Sequence, residues 1–154
     1  MPLLQRFSLL HIAFFALLST CLQASAEEMA TSQTFDNYEI HYSVFNTSFL
    51  TPEVARAYGI VRSKSKALMN IAVLQKQADG TMKNIAAIVT GDQYDLIRNT
   101  PLSFQEVREE QAIYYLSSFE IQNHATIYFT INVQPDPNKP AYVLKFNKVL
   151  YKDE

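Results

Sequence analysis

AIYYLSSFEIQNHATIYFTINV, residues 112–133, carries the pattern that decides the fold class. Ile113, Tyr115 and Phe119 precede a short polar turn, and Ile127, Ile131 and Val133 follow it at the same even spacing. Ser118, Glu120, Thr126 and Thr130 take the alternate positions. A period of two marks a strand with one buried face, because successive Cβ atoms point to opposite sides of the pleat. Gln122, Asn123 and His124 interrupt the pattern, so the stretch is expected to form a hairpin with a three-residue loop. That loop pairs Phe119 with Ile127, Tyr115 with Ile131 and Ile113 with Val133, all on one face.

The same period runs outward in both directions. Tyr38, Ile40, Tyr42 and Val44 alternate with Glu39, His41 and Ser43. Ala67–Gln75 and Asn84–Val89 are expected to join through Asp79 and Gly80 as a type I′ hairpin, which sets Leu74 opposite Ile85, Ala72 opposite Ala87 and Ile71 opposite Ile88. That hairpin is apolar on both faces and needs a cover: the short helix, a folded loop or a partner. Leu102–Glu109 is assigned to a strand from its neighbours, although Phe104 and Val107 are spaced as on a helix. Pro135, Pro137 and Pro140 break the chain before a last strand, Tyr142–Leu150, with Leu144 and Phe146 inward.

One helix is legible. Thr51 can cap it, Pro52 suits its first position, Glu53 favours its positive end and Gly59 can close it in a left-handed conformation, giving Pro52–Tyr58. About seven short strands with one short connecting helix predict an all-β protein, an antiparallel immunoglobulin-like β-sandwich.

Residues 1–26 have the make-up of an export signal: Arg6 near the start, an apolar run from Phe7 to Leu18, and Ala24, Ser25 and Ala26 as a cleavage pattern ending at Ala26. Cys21 stands where a lipoprotein signal places its acylated cysteine, but Thr20 precedes it where such signals carry a smaller residue, so cleavage is favoured over lipid anchoring. Residues 27–35 are expected to be a flexible leader and 36–154 a single sandwich domain. Removing 26 residues from 154 leaves 128, enough for one core without covalent staples. The mature chain keeps no cysteine and hence no disulfide. Without Arg6 it has 12 basic and 15 acidic side chains, a formal charge of −3, which argues against a nucleic-acid partner. No second apolar run reaches membrane-spanning length, so stable membrane insertion is not expected.

Several stretches resemble a family of exported proteins of Gram-negative bacteria known as domain of unknown function 4426. They are YEIHY (38–42), FLTPEVARAYGIVRS (49–63), NIAV (70–73) and AIYY (112–115). The resemblance spans nearly the whole mature chain. It implies a periplasmic setting and supplies no activity.

The chemistry-bearing residues are few. Glu39 and His41 share one strand face and offer two metal ligands, but His124 lies in a turn and no thiol remains, so no metal is expected. No nucleophile elbow and no Ser-x-x-Lys set with its partner motifs is present. With only Gly59, Gly80 and Gly91, no phosphate loop is available and no cofactor is expected. Arg62, Lys64 and Lys66 fall on one side of an extended segment, with Tyr58 and His41 placed to stand beside them, so His41, Tyr58, Arg62 and Lys64 are the candidate binding residues. Lysines guarding an edge strand explain the same run.

These features favour a periplasmic, non-enzymatic binding or accessory domain. A protein partner or a second copy would dock through the Ala67–Val89 hairpin or an exposed strand edge. The alternative is a hydrolase or lyase of envelope material, with His41 as general base and Arg62 clamping an anion.

Overall fold

A computed structural model describes residues 31–153. The expected export signal, with Cys21 and the Ala26 cleavage site, lies outside the described residues. The chain runs through β1 (Ser32–Phe35), β2 (Tyr38–Asn46), a 3₁₀ turn (Thr47–Phe49), α1 (Pro52–Ala57) and β3 (Lys66–Lys76). It continues through β4 (Met82–Asn84), β5 (Ile88–Tyr94), β6 (Asn99–Pro101), β7 (Gln105–Arg108), β8 (Ile113–Glu120), β9 (Ala125–Gln134) and β10 (Tyr142–Leu150). One sheet has the order β1-β2-β3-β8-β7 with β4 also on β3, and the other β10-β9-β5-β6, every pair antiparallel. The run β2-β3-β8-β7 facing β10-β9-β5 is the strand order of an immunoglobulin sandwich, with β6 as an added edge. The all-β sandwich is therefore as expected, and its surplus strands are the short β1, β4 and β6.

The 112–133 segment departs from its expected pairing. β8 lies between β3 and β7, with Ile71 opposite Tyr115, while β9 lies between β5 and β10 in the other sheet. Phe119 and Phe129 meet edge-on across the core, ring centres 5.6 Å apart. Alternation reports which face is buried. It cannot distinguish two strands side by side from two strands face to face, because both arrangements send the same residues into one core. The inward set is as expected, with Tyr115, Phe119, Ile127, Ile131 and Val133 all buried.

The Asp79–Gly80 hairpin forms one residue out of its expected register. Leu74 stands opposite Asn84, and Gln77 N donates to Thr81 O at 2.8 Å, leaving a three-residue loop in which Gly80 takes φ +87°. Asp79 Oδ1 accepts from both the hydroxyl and the N–H of Thr81, which hold its carboxyl below the usual range and fix this loop. After β4 the chain leaves the sheet. Asn84 Oδ1 accepts from Ile113 N and the Tyr115 hydroxyl from Ala87 N, pinning the crossover before β5. Ala72 and Ile71 consequently never meet Ala87 and Ile88. The second face of β3 is buried from within the chain at Leu68, 3% exposed, which lines one surface depression with Ile60, Phe104 and Leu116, while Asn70, Ala72 and Leu74 on the same face are half-buried.

Part of the expected leader is ordered. Ser32–Phe35 pairs with His41–Tyr38, and the Phe35 ring stacks on Tyr142 at 5.1 Å. α1 forms as expected: the Thr51 side chain accepts from Val54 N, Pro52 opens the helix, and Gly59 follows it at φ +67°. Leu102–Glu109 contains β7, a strand as expected.

Four rings cross the interior in sequence. Phe119 on β8 meets Phe129 on β9, Phe129 stacks on Phe146 of β10 at 4.9 Å, and Phe146 stacks on Tyr42 of β2 at 4.3 Å. Gly91 on β5 lets this layer close, because a Cβ there would stand 2.7 Å from both Ile131 Cδ1 and the Thr130 carbonyl oxygen. Gly91→Ala is expected to destabilise the fold by about 1–3 kcal/mol through overpacking. Urea unfolding of the two forms measures this, and an unchanged midpoint would contradict the packing described.

Candidate functional site

The candidate residues are parted by the strand that carries one of them. His41 lies mid-β2 on the outer face opposite Ala72, its Nε2 3.0 Å from Glu39 Oε1. Arg62 donates from Nη2 to Ser48 O at 3.1 Å, beyond the end of β2. The five residue steps from His41 to Asn46 alone cover about 16 Å of strand. His41 and Arg62 therefore do not form the base-and-clamp pair that the hydrolase alternative requires.

Tyr58 turns elsewhere, its hydroxyl donating to Glu109 Oε1 at 2.7 Å, a bond that raises its pKa. Lys66 pairs with Glu120 across β3 and β8 at 3.5 Å, inside the sheet, so the basic run guards no edge.

The basic segment closes one end of the sandwich. The buried Thr47 hydroxyl accepts from Ser63 N at 2.9 Å and donates to Ser63 O at 3.2 Å. Asn46 Nδ2 donates to Tyr151 O and Asp153 Oδ1, the Ser48 hydroxyl donates to the other Asp153 oxygen, and Lys64 O accepts from Asp153 N. Arg62 and Lys64 are thus woven into a latch between the 3₁₀ turn and the last described residues.

A different feature lies along β2. β1 pairs with Tyr38–His41 of β2, and Thr31, the first described residue, accepts at its carbonyl from Tyr42 N at 2.8 Å. Beyond that point Ser43–Asn46 has no strand on its outer side among the described residues. Val44 lies two residues past Tyr42, so its N–H and C=O point to that same edge. β10 borders the gap from the other sheet.

Between them runs a groove of about 470 Å³, with Tyr42, Val44, Phe45 and Phe146 as its apolar wall. Lys148 Nζ donates to Val44 O at 2.7 Å, where the N–H of a neighbouring strand would otherwise bond. Phe146 was legible as an inward residue, but Lys148 was not, since its contact with Val44 crosses from one sheet to the other.

The family described as Domain of unknown function (DUF4426) matches residues 32–153, essentially the whole described body. The chain belongs to this family. A solved DUF4426 family protein from Pseudomonas aeruginosa PAO1 is 42% identical, with 80% of this chain and 95% of that chain covered and a TM-score of 0.69. No curated protein matches the chain. Membership in DUF4426 carries the fold and names no activity.

One electrostatic consequence follows for this DUF4426 sandwich. Tyr142 donates to Asp36 Oδ2 at 2.6 Å, and that bond first, with burial and the Asp36 charge, pushes its pKa up to about 12. The folded state then holds this proton longer than the unfolded chain, so the stabilisation is complete below about pH 10 and lost as pH rises toward 12. Melting temperatures between pH 9 and 12 should fall more steeply for the wild type than for Tyr142→Phe.

Proposed function

We propose that this DUF4426 chain is an exported, non-enzymatic binding domain that takes an extended peptide along the open edge of β2. The Ser43–Asn46 edge, unpaired among the described residues and beside an apolar groove, supports the reading best. An added strand gains main-chain hydrogen bonds from Val44, and its alternate side chains enter the groove against Tyr42 and Phe146. Lys148 is the one charged group in the groove lining among the described residues, so it favours a peptide with a carboxylate near its centre. The distance separating His41 from Arg62 and the engagement of Tyr58 with Glu109 speak against the envelope hydrolase.

Amide NMR with a capped heptapeptide alternating valine and glutamate tests the site. Saturable shifts should be confined to Tyr42–Asn46 and Phe146–Lys148, and Lys148→Glu should weaken binding by about tenfold, the worth of one charge-assisted bond. No saturable shift would remove the peptide reading. The peptide is offered to chains beginning at Glu27 and at Thr31. Binding by the shorter chain alone would assign the edge to residues 27–30 rather than to a partner.

Export is tested separately. The periplasmic fraction should contain a chain whose first residue is Glu27, and the intact chain confined to the cytosol would overturn it.

A further inference from the structure

Inward positions of a sandwich are apolar because a buried hydroxyl or amide without a partner costs stability. Two inward positions break that pattern here. Ser117 falls between Tyr115 and Phe119 on the inner face of β8 and is 1% exposed, yet its hydroxyl has no hydrogen-bond partner among the described residues. Gln93 lies on β5 two residues past the buried Gly91, and its buried Oε1 is equally unpartnered. Both side chains line one cavity of about 510 Å³ where the two sheets part beside β6, away from the β2–β10 groove. That volume lies within the range of about 300–1,000 Å³ found for small-molecule sites.

The rest of the lining narrows the chemistry. Thr100 and Ser103 add hydroxyls, while Phe119 and Ile127 supply apolar surface. The charges at the rim are already matched. Asp95 Oδ1 accepts from Arg98 N at 2.8 Å and Ile97 N at 3.1 Å, Arg98 Nη2 stands 3.9 Å from Asp95 Oδ2, and Glu120 pairs with Lys66. A free cation or anion finds no uncompensated partner in such a site. A neutral ring with hydroxyls on its rim and C–H groups on its faces matches both kinds of surface.

We propose that this cavity binds a neutral saccharide of one or two rings, with Ser117 and Gln93 hydrogen-bonding its hydroxyl or acetamido groups. The Ser117 hydroxyl can donate and accept, and Gln93 Oε1 accepts, so together they read the orientation of a sugar hydroxyl pair. Ordered water would satisfy the same two groups without any ligand, and the variants separate the two situations.

The test is amide NMR of the mature chain titrated with glucose, N-acetylglucosamine and the β-1,4-linked dimer of N-acetylglucosamine at millimolar concentrations. The result expected is saturable shifts at Gln93, Ser103 and Ser117 with one or more of these sugars. Ser117→Ala should weaken that binding by about tenfold, and Gln93→Leu should do the same. Ser117→Ala should also leave the melting temperature unchanged or raised, because it removes an unpartnered hydroxyl. No saturable shift with any of the three sugars would overturn the proposal. So would binding that both variants leave intact, or a lowered melting temperature for Ser117→Ala with affinity unchanged, the signature of a structural water.

Discussion

The sandwich depends on a row of four stacked and edge-on rings that passes from one sheet to the other and back. Phe119 and Tyr42 belong to the first sheet, Phe129 and Phe146 to the second, and successive centres are 4.3 to 5.6 Å apart. Each such pair contributes about 0.5–1.5 kcal/mol beyond the area it buries. The described body contains no cysteine, so no covalent staple stands in for this contact. Gly91 serves the same layer by letting β5 and β9 approach where any side chain would collide with Ile131. Two openings stand at opposite ends of the row: Phe119 lines the cavity beside β6, and Tyr42 and Phe146 line the groove beside β2.

Two outer strands carry features that oppose further pairing. β7 carries Glu106 and Arg108 joined at 2.6 Å, and β6 ends at Pro101, a residue that cannot donate to a further strand. β1 pairs with Tyr38–His41 of β2. Among the described residues, the remaining stretch is blunted only by the Lys148 amino group on Val44 O, a contact that a strand N–H can displace or share, because a carbonyl oxygen has two lone pairs.

Local chemistry was legible in the residues, and distant pairing was not. The Thr51 cap, Pro52 and Gly59 identify α1, and the span Tyr142–Leu150 agrees with β10 because prolines bound it. Inward and outward faces follow from alternation. Partnership does not, as β8 and β9 show by facing one another across the core. The Asp79 loop slipped by one residue because the side chain of Asp79 captures Thr81, a choice the Asp–Gly pair alone does not reveal. Among the candidate site residues, Arg62 and Lys64 were grouped by spacing, but their contacts lie with Ser48 and Asp153, about a hundred positions apart in the chain. Ser117 sits in the apolar register of β8 but was not singled out, because the apolar residues on either side of it carried the pattern. Nor was Gln93, since β5 had been assigned to a shorter strand ending at Val89.

Phe129, 1% exposed and held between Phe119 and Phe146, gives the molecule an internal clock. A ring in that position can rotate by half a turn only when the two sheets momentarily separate, because close-packed interiors leave no free volume for the sweep. Its flip rate therefore counts the breathing of the whole sandwich. Anything lodged at either mouth that stiffens the row would slow that count, even where the average positions of the strands stay the same.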